Sequence, residues 1–194
     1  MKRFSPLDDP RLPARHEDYV QIYHPPASIP LGPIVIRATD RGLTWLAFSA
    51  SSDITEHPNA ITERCAEQLE AYFRGELTAF DLPLAPRGTE FQTRVWQALQ
   101  AIPFGHTRSY RDIAVAVDAP LAVRAVGAAN GRNPLSLIVP CHRVIGSNGK
   151  LTGYAGGVDR KRWLLEHERA KVETVSARQD FTLSVTSGAT WGAT

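Results

Sequence analysis

Cys141 lies in the run Ile138-Val139-Pro140-Cys141-His142-Arg143-Val144-Ile145. A thiol follows a β-branched run and a proline, and an imidazole and a guanidinium stand directly behind it. Such a thiol is held in position, and the positive character around it favours thiolate, the nucleophilic form, over a neutral thiol of pKa about 8.5. The expected chemistry is attack by sulfur. Glu168 is the second residue of interest. It follows Leu164 and Leu165 by four and three positions in a predicted helix over 158–169, so it shares their core-facing stripe while Glu166 points elsewhere. A carboxylate on a buried stripe needs a partner. His142 is the obvious one, and a Cys–His–Glu relay follows. Each residue also admits a plainer part. Cys141 fits a small buried hydrophobe, His142 a satisfied core histidine, and Glu168 an ion pair with a basic surface residue such as Lys161 or Arg169.

The flanking elements must position these groups. Asn133-Pro134 is a turn before the apolar run Leu135–Val139, Cys141 and His142 are expected in an extended segment, and Gly153-Tyr154-Ala155-Gly156-Gly157 is a flexible loop after it. Adjacent side chains in an extended segment point to opposite sides. His142 is then badly placed to touch Cys141 directly, and a relay bridged by water tolerates that arrangement. Upstream, Ser109-Tyr110-Arg111-Asp112 has capping-box form and opens a helix over 110–117. Asp118-Ala119-Pro120 starts a second helix, Leu121–Ala129, with proline in its first turn. On a helical wheel Ala122, Val123 and Val126 face one way, and Arg124, Gly127, Ala128 and Gly131 another. One arginine among small residues lets a helix approach a backbone closely. The same pattern also suits two helices packed in a core.

The chain has 194 residues and a net charge of +2. Residues 1–87 hold 9 Lys+Arg against 12 Asp+Glu, whereas residues 88–170 hold 11 against 6. The second half is the natural partner for a polyanion. No apolar stretch reaches the roughly 20 residues of a membrane span, and no secretory signal is expected from Met1-Lys2-Arg3-Phe4-Ser5-Pro6. Cys65 and Cys141 could pair, but Pro-Cys-His reads better as a reduced intracellular site. Residues 1–28, rich in proline and charge, are expected to be a poorly ordered extension. Residues 29–87 form an N-terminal α/β domain. It holds a hairpin of Ile34–Ile36 and Leu43–Phe48 and a helix over 59–74 closed by Gly75, with Cys65 in its core. Residues 81–88 are an extended connector. Thr89 caps a helix with Phe91, Val95, Trp96 and Leu99 at helical spacing. Residues 88–172 are the C-terminal domain, and 173–194 a mobile tail.

Residues from about 30 to 170 resemble the bacterial-type O6-alkylguanine-DNA alkyltransferases. The resemblance is strongest from Ser109 to Glu168, through Arg124-Ala125-Val126-Gly127, Asn133-Pro134, Pro140-Cys141-His142-Arg143-Val144 and Gly153-Tyr154-Ala155-Gly156-Gly157. It implies a small α/β, ribonuclease H-like N-terminal domain and a mainly α C-terminal domain with a winged helix-turn-helix. It implies direct, irreversible transfer of an alkyl group from guanine O6 in double-stranded DNA to Cys141, once per molecule and without a cofactor. O4-alkylthymine is a further candidate substrate. Tyr110 matches the donor to the departing guanine, His142 and Glu168 the relay, and Asn133 the residue tying the active-site turn to the recognition helix. Arg124 matches the finger that fills the space of the flipped base. Ser109, Ala125, Gly127, Ala128, Gly131 and Arg132 match the minor-groove surface. Val144, Tyr154, Ala155 and Gly156 match the base pocket. The implied protein is a cytoplasmic monomer, acting singly or cooperatively along DNA.

Two departures stand out. With Cys65 on a helix as the only other cysteine, no structural zinc site is expected, and Ala155 stands where some relatives have serine. Three other classes compete. A non-catalytic protein that marks alkylated bases would lack the cysteine. A methylation-responsive transcription factor would need another DNA-binding or metal domain. A cysteine hydrolase would need an oxyanion hole and a directly paired histidine.

Overall fold

The computed structural model describes residues 19–49 and 54–168. The chain divides into two compact units at Pro86/Arg87. In the first, β1 (Tyr19–Tyr23), β2 (Ile34–Thr39) and β3 (Gly42–Phe48) form an antiparallel sheet in that order. The hairpin expected from Asp40-Arg41-Gly42 is present, with Arg37 opposite Trp45 and a register shift before Ala38. β1 corrects the expectation of a poorly ordered extension through residue 28. Tyr-Val-Gln-Ile-Tyr is a run of aromatic and β-branched residues that fits a pleated surface, and it pairs along β2 from Tyr19↔Ala38 to Tyr23↔Ile34. Residues 1–18 and the predicted tail at 173–194 lie outside the described residues.

Helix α1 (Ala60–Phe73) packs on β1 and β2. Asn59 and Thr62 cap its start reciprocally. At its end Gly75, at φ 76°, donates to the Tyr72 carbonyl and Glu76 to that of Ala71, a Schellman closure. Cys65, Leu69 and Tyr72 on its inner face are fully buried, so Cys65 is core as expected. The connector is more than a spacer. Leu43 N–H donates to the Pro83 carbonyl and Ala85 N–H to that of Leu43, which adds Leu84 beside β3.

The second unit is mainly helical. Helices α2 (Glu90–Gln100), α3 (Tyr110–Ala116) and α4 (Val123–Gly131) pack on one another, and Trp96 of α2, almost fully buried, donates its indole N–H to the Ala129 carbonyl at 2.9 Å. Thr89 with Gln92 and Ser109 with Asp112 form capping boxes at the starts of α2 and α3. The helix-turn-helix is shifted from its predicted bounds. Pro120 and Leu121 lie in a turn before α4 rather than within it, closed by Ala122 N–H on the Ala119 carbonyl. Asp118, at φ 55°, breaks the chain away from α3, and no side chain caps α4, so the helix begins only at Val123 and runs on to Gly131.

A short 3-10 turn, Cys141–Arg143, leads into β5 (Val144–Ile145), which pairs in parallel with β4 (Arg108–Ser109). Helix α5 (Val158–His167) closes the unit. The β4–β5 pair is only two residues long, but it places Tyr110, the first residue of α3, beside the segment that leaves Cys141. Ser109 both pairs in β4 and caps α3. Replacing Ser109 by Ala should therefore lower stability by about 1 kcal/mol. Urea unfolding should show the loss, and Thr at the same position should recover most of it.

Candidate active site

The segment at the thiol departs from the extended conformation expected of Cys141 and His142. Leu135–Val139 is not extended. Val139 N–H donates to the Leu135 carbonyl at 2.8 Å, and Leu137 takes the left-handed conformation at φ 71° while its side chain is buried. A leucine is strained there, so something must hold the turn. Asn133 does. Its Oδ1 accepts from Leu135 N–H at 3.0 Å, and its Nδ2 donates to the Val139 carbonyl at 2.7 Å. The tight turn lets Cys141 N–H reach the Val139 carbonyl and Arg143 N–H that of Pro140, both under 3 Å. Cys141 therefore opens a 3-10 turn instead of lying on a strand.

Cys141 and His142 are buried. Burial pushes the Cys141 thiol above its ordinary value, and the Asn133 amide, the Lys161 charge and the N–H groups of Cys141 and His142 only partly oppose it. This corrects the expectation of a standing thiolate. The neighbouring His142 adds no positive charge because its own imidazole is held neutral: burial lowers its pKa, and Arg143 and Lys161 add to that against the pull of Glu168. The resting group is a thiol, and something must take its proton.

His142 Nε2 and Glu168 Oε1 are 2.9 Å apart, both buried. A carboxylate can only accept, so a neutral imidazole in this contact carries its hydrogen on Nε2. Nδ1 then bears the lone pair, and that buried atom has no hydrogen-bond partner among the described residues. Glu168 is itself clamped. Arg143 donates from Nε to Oε2 at 2.8 Å and from Nη2 to Oε1 at 3.0 Å, and Gly105 N–H donates to Oε2 at 3.3 Å. Burial alone would raise the Glu168 pKa, but the hydrogen bonds and charge of His142 and Arg143 outweigh it and hold the carboxyl well below the usual carboxylate range. Glu168 caps α5, which ends at His167, two residues short of the predicted end; Arg169 lies outside the described residues.

Two site residues escaped the sequence reading. Arg143, expected only as a positive neighbour of the thiol, neutralises Glu168 and donates to the Ile102 carbonyl at 2.6 Å. Lys161, expected at the surface, is fully buried. Its ammonium donates to the carbonyls of Val144 at 2.5 Å and Thr152 at 2.9 Å, and burial brings its pKa down to about 8 against the opposing pull of Cys141. The only signal was its position. Lys161 stands three and four residues before Leu164 and Leu165, on the same stripe that drew attention to Glu168.

Tyr110 reaches from α3 to the glycine loop, its hydroxyl 3.2 Å and 3.3 Å from the carbonyls of Thr152 and Gly153. Burial keeps this phenol protonated, and the nearby Cys141 adds to the effect. The Tyr154 hydroxyl is buried and likewise protonated. Val144 is buried and its carbonyl is taken by Lys161, while Ala155 is exposed and Gly156 accepts from Arg160. On α4, Arg124, Ala125, Ala128, Gly131 and the following Arg132 are exposed. Gly127 is half-buried, and a Cβ there would stand 3.9 Å from the Tyr110 ring. The inner face is Val126, Ala129 and Asn130, one turn further along than Ala122 and Val123. Asn130 Nδ2 lies 3.5 Å from the Cys141 carbonyl.

The pH dependence of stability follows from these shifts. His142 and Glu168 both have folded pKa values below their ordinary 6.5 and 4.5. The unfolded chain binds more protons in those windows, so the stability is present above them and is lost as pH falls. The urea midpoint should drop from pH 7 to pH 5 and again below pH 4.5; a flat profile from pH 7 to pH 4 would contradict the arrangement.

Comparison with known proteins sets this geometry in a family. Residues 22–86 match the ribonuclease-like domain of 6-O-methylguanine DNA methyltransferase, and residues 90–170 its DNA binding domain. The chain is 50% identical over 153 residues to the methylated-DNA–protein-cysteine methyltransferase of Methanosarcina barkeri, covering 76% of this chain and 97% of that one. It is 53% identical over 146 residues to the protein of the same name from Mycolicibacterium paratuberculosis, covering 72% and 88%. The crystal structure of Mycobacterium tuberculosis OGT in complex with DNA matches with a TM-score of 0.69 at 47% identity, covering 80% of this chain and 94% of that one. The chain belongs to the 6-O-methylguanine DNA methyltransferase family, with its ribonuclease-like domain followed by its DNA-binding domain.

Proposed function

We propose that this protein repairs DNA by moving an alkyl group from O6 of guanine to Cys141. One observation carries the chemistry: Glu168 fixes the His142 tautomer so that a buried, neutral imidazole offers Nδ1 as base in the residue next to a buried thiol. A bridging water passes the thiol proton to Nδ1, and the imidazolium that forms is stabilised by Glu168. The sulfur then attacks the alkyl carbon, a C–S bond forms, and the O6–C bond breaks. The departing guanine takes up one proton from the Tyr110 hydroxyl, and the imidazolium proton returns through solvent to the phenolate, so that the proton that left the thiol ends on guanine. The thioether is not hydrolysed, so each molecule reacts once, and the lesion itself supplies the leaving group. Lys161 holds the carbonyls of Val144 and Thr152 at the edges of the pocket, and its charge offsets the thiolate as it develops.

The thiol is buried, so the base must leave the duplex, at a cost of a few kcal/mol. Helix α4 lies in the minor groove in this reading. Ala125, Ala128 and Gly131 allow close approach, Arg124 fills the vacated space and Arg132 meets phosphate. The loop from Gly153 to Gly157, with Tyr154, closes over the base. The protein acts as a cytoplasmic monomer on double-stranded DNA that contains O6-alkylguanine.

The test is intact mass and peptide mapping after incubation with a duplex holding one O6-methylguanine. The expected result is a gain of one methyl group on Cys141, stopping at one per protein, and none in Cys141→Ser, which should still bind DNA. Tight binding of the lesion without a mass change would make the protein a damage marker and not an enzyme. In a second test, Arg124→Ala should slow repair of duplex DNA at least tenfold more than the reaction with free O6-benzylguanine. Equal losses would remove Arg124 from its role at the flipped base.

A further inference from the structure

Among the described residues Leu121 is 99% exposed, far more than the other large exposed apolar residues, Val115 at 55% and Val158 at 37%. It therefore contributes no burial to the fold, and the turn that carries it is closed without it, by Ala122 N–H on the Ala119 carbonyl. Its place is informative. It sits in the turn that leads into α4, three residues before Arg124. The exposed positions that follow, Arg124, Ala125, Ala128, Gly131 and Arg132, recur at helical spacing along the same element. The turn thus holds an isobutyl group in water, and the helix after it carries small residues and two arginines at its exposed positions.

We propose that Leu121 is a DNA-contacting residue that rests on the deoxyribose wall of the minor groove. The inference builds on the placement of α4 in that groove given above. Its grounds are chemical. Arg124 and Arg132 supply the positive charge that suits a polyanion, and the alanines and glycine between them let the backbone come close. A helix that close must also meet the sugars, which are the apolar part of a groove wall. Leu121 lies in the turn that precedes α4, and in this placement it meets the backbone sugars beside the step that Arg124 fills. Burying an exposed leucine is favourable without releasing any counterion. Leu121 therefore adds affinity that does not depend on salt, next to arginine contacts that do.

The experiment is fluorescence anisotropy with an undamaged duplex across a series of salt concentrations, for the full chain and its variants. Leu121→Ala should weaken binding about fivefold to tenfold at every salt concentration, with the same slope of log K against log salt and the same thermal unfolding midpoint as the parent. Leu121→Lys should steepen the slope by about one phosphate contact, which reports that position 121 faces the DNA backbone. Arg132→Ala should instead make the slope shallower. Unchanged affinity in Leu121→Ala, or a loss that comes with an altered slope, would overturn the inference while methyl transfer to Cys141 by the parent left the repair reading standing. A parent chain that failed to bind the duplex at all would overturn both.

Discussion

The Glu168 carboxylate is the point on which the second unit turns. It is buried, charged and shared among His142, Arg143 and Gly105 N–H. A lone carboxylate in that position would be costly, and removing one partner from such a group typically costs about 3–5 kcal/mol. The bidentate Arg143 contact supplies the compensating charge, which leaves the His142 contact free to act as an orienting hydrogen bond. Because Glu168 also caps α5, the helix, the 3-10 turn and the Pro103–Gly105 corner are tied at one atom pair. The imidazole tautomer is thus decided by the same interaction that holds the elements together.

Around that ion pair, two smaller devices set the position of the sulfur. Asn133 holds Leu137 in a backbone conformation that leucine avoids, and the turn so formed delivers Cys141 to the start of the 3-10 turn. The two-residue pairing of β4 with β5 then brings Tyr110 alongside. The strain at Leu137 persists because the side chain is buried and the amide of Asn133 satisfies both ends of the turn. The arrangement keeps an unreactive thiol in the resting state. Burial keeps that thiol protonated, which fits the proposed reaction, in which the sulfur becomes nucleophilic once His142 takes its proton.

Much of this was legible in the sequence because the governing interactions are local. Capping boxes at Thr89 and Ser109, the left-handed glycine after α1 and the alternating runs of β2 and β3 each involve residues within about four positions of one another, so the element boundaries fell close to their predicted places. Glu168 was found because helical periodicity put it on a buried stripe. β1 is hidden in the sequence by the prolines and charges around it, although Pro25 and Pro26 follow the strand and do not interrupt it. The second helix of the helix-turn-helix was placed two residues early because Pro120 signals a first helical turn equally well as the turn before a helix.

The sequence by itself determined the parts: a cysteine flanked by histidine and arginine, a carboxylate on an apolar stripe, a basic second half and a helix faced with small residues. Tertiary structure decided what those parts are to one another. Arg143 points away from a role beside the thiol and onto Glu168, and Lys161 is drawn from its supposed surface into the core to hold Val144 and Thr152. The protonation states follow from that placement. Burial and long-range partners outweigh nearest neighbours in setting a pKa, because desolvation and charge act through space while the sequence records only distance along the chain.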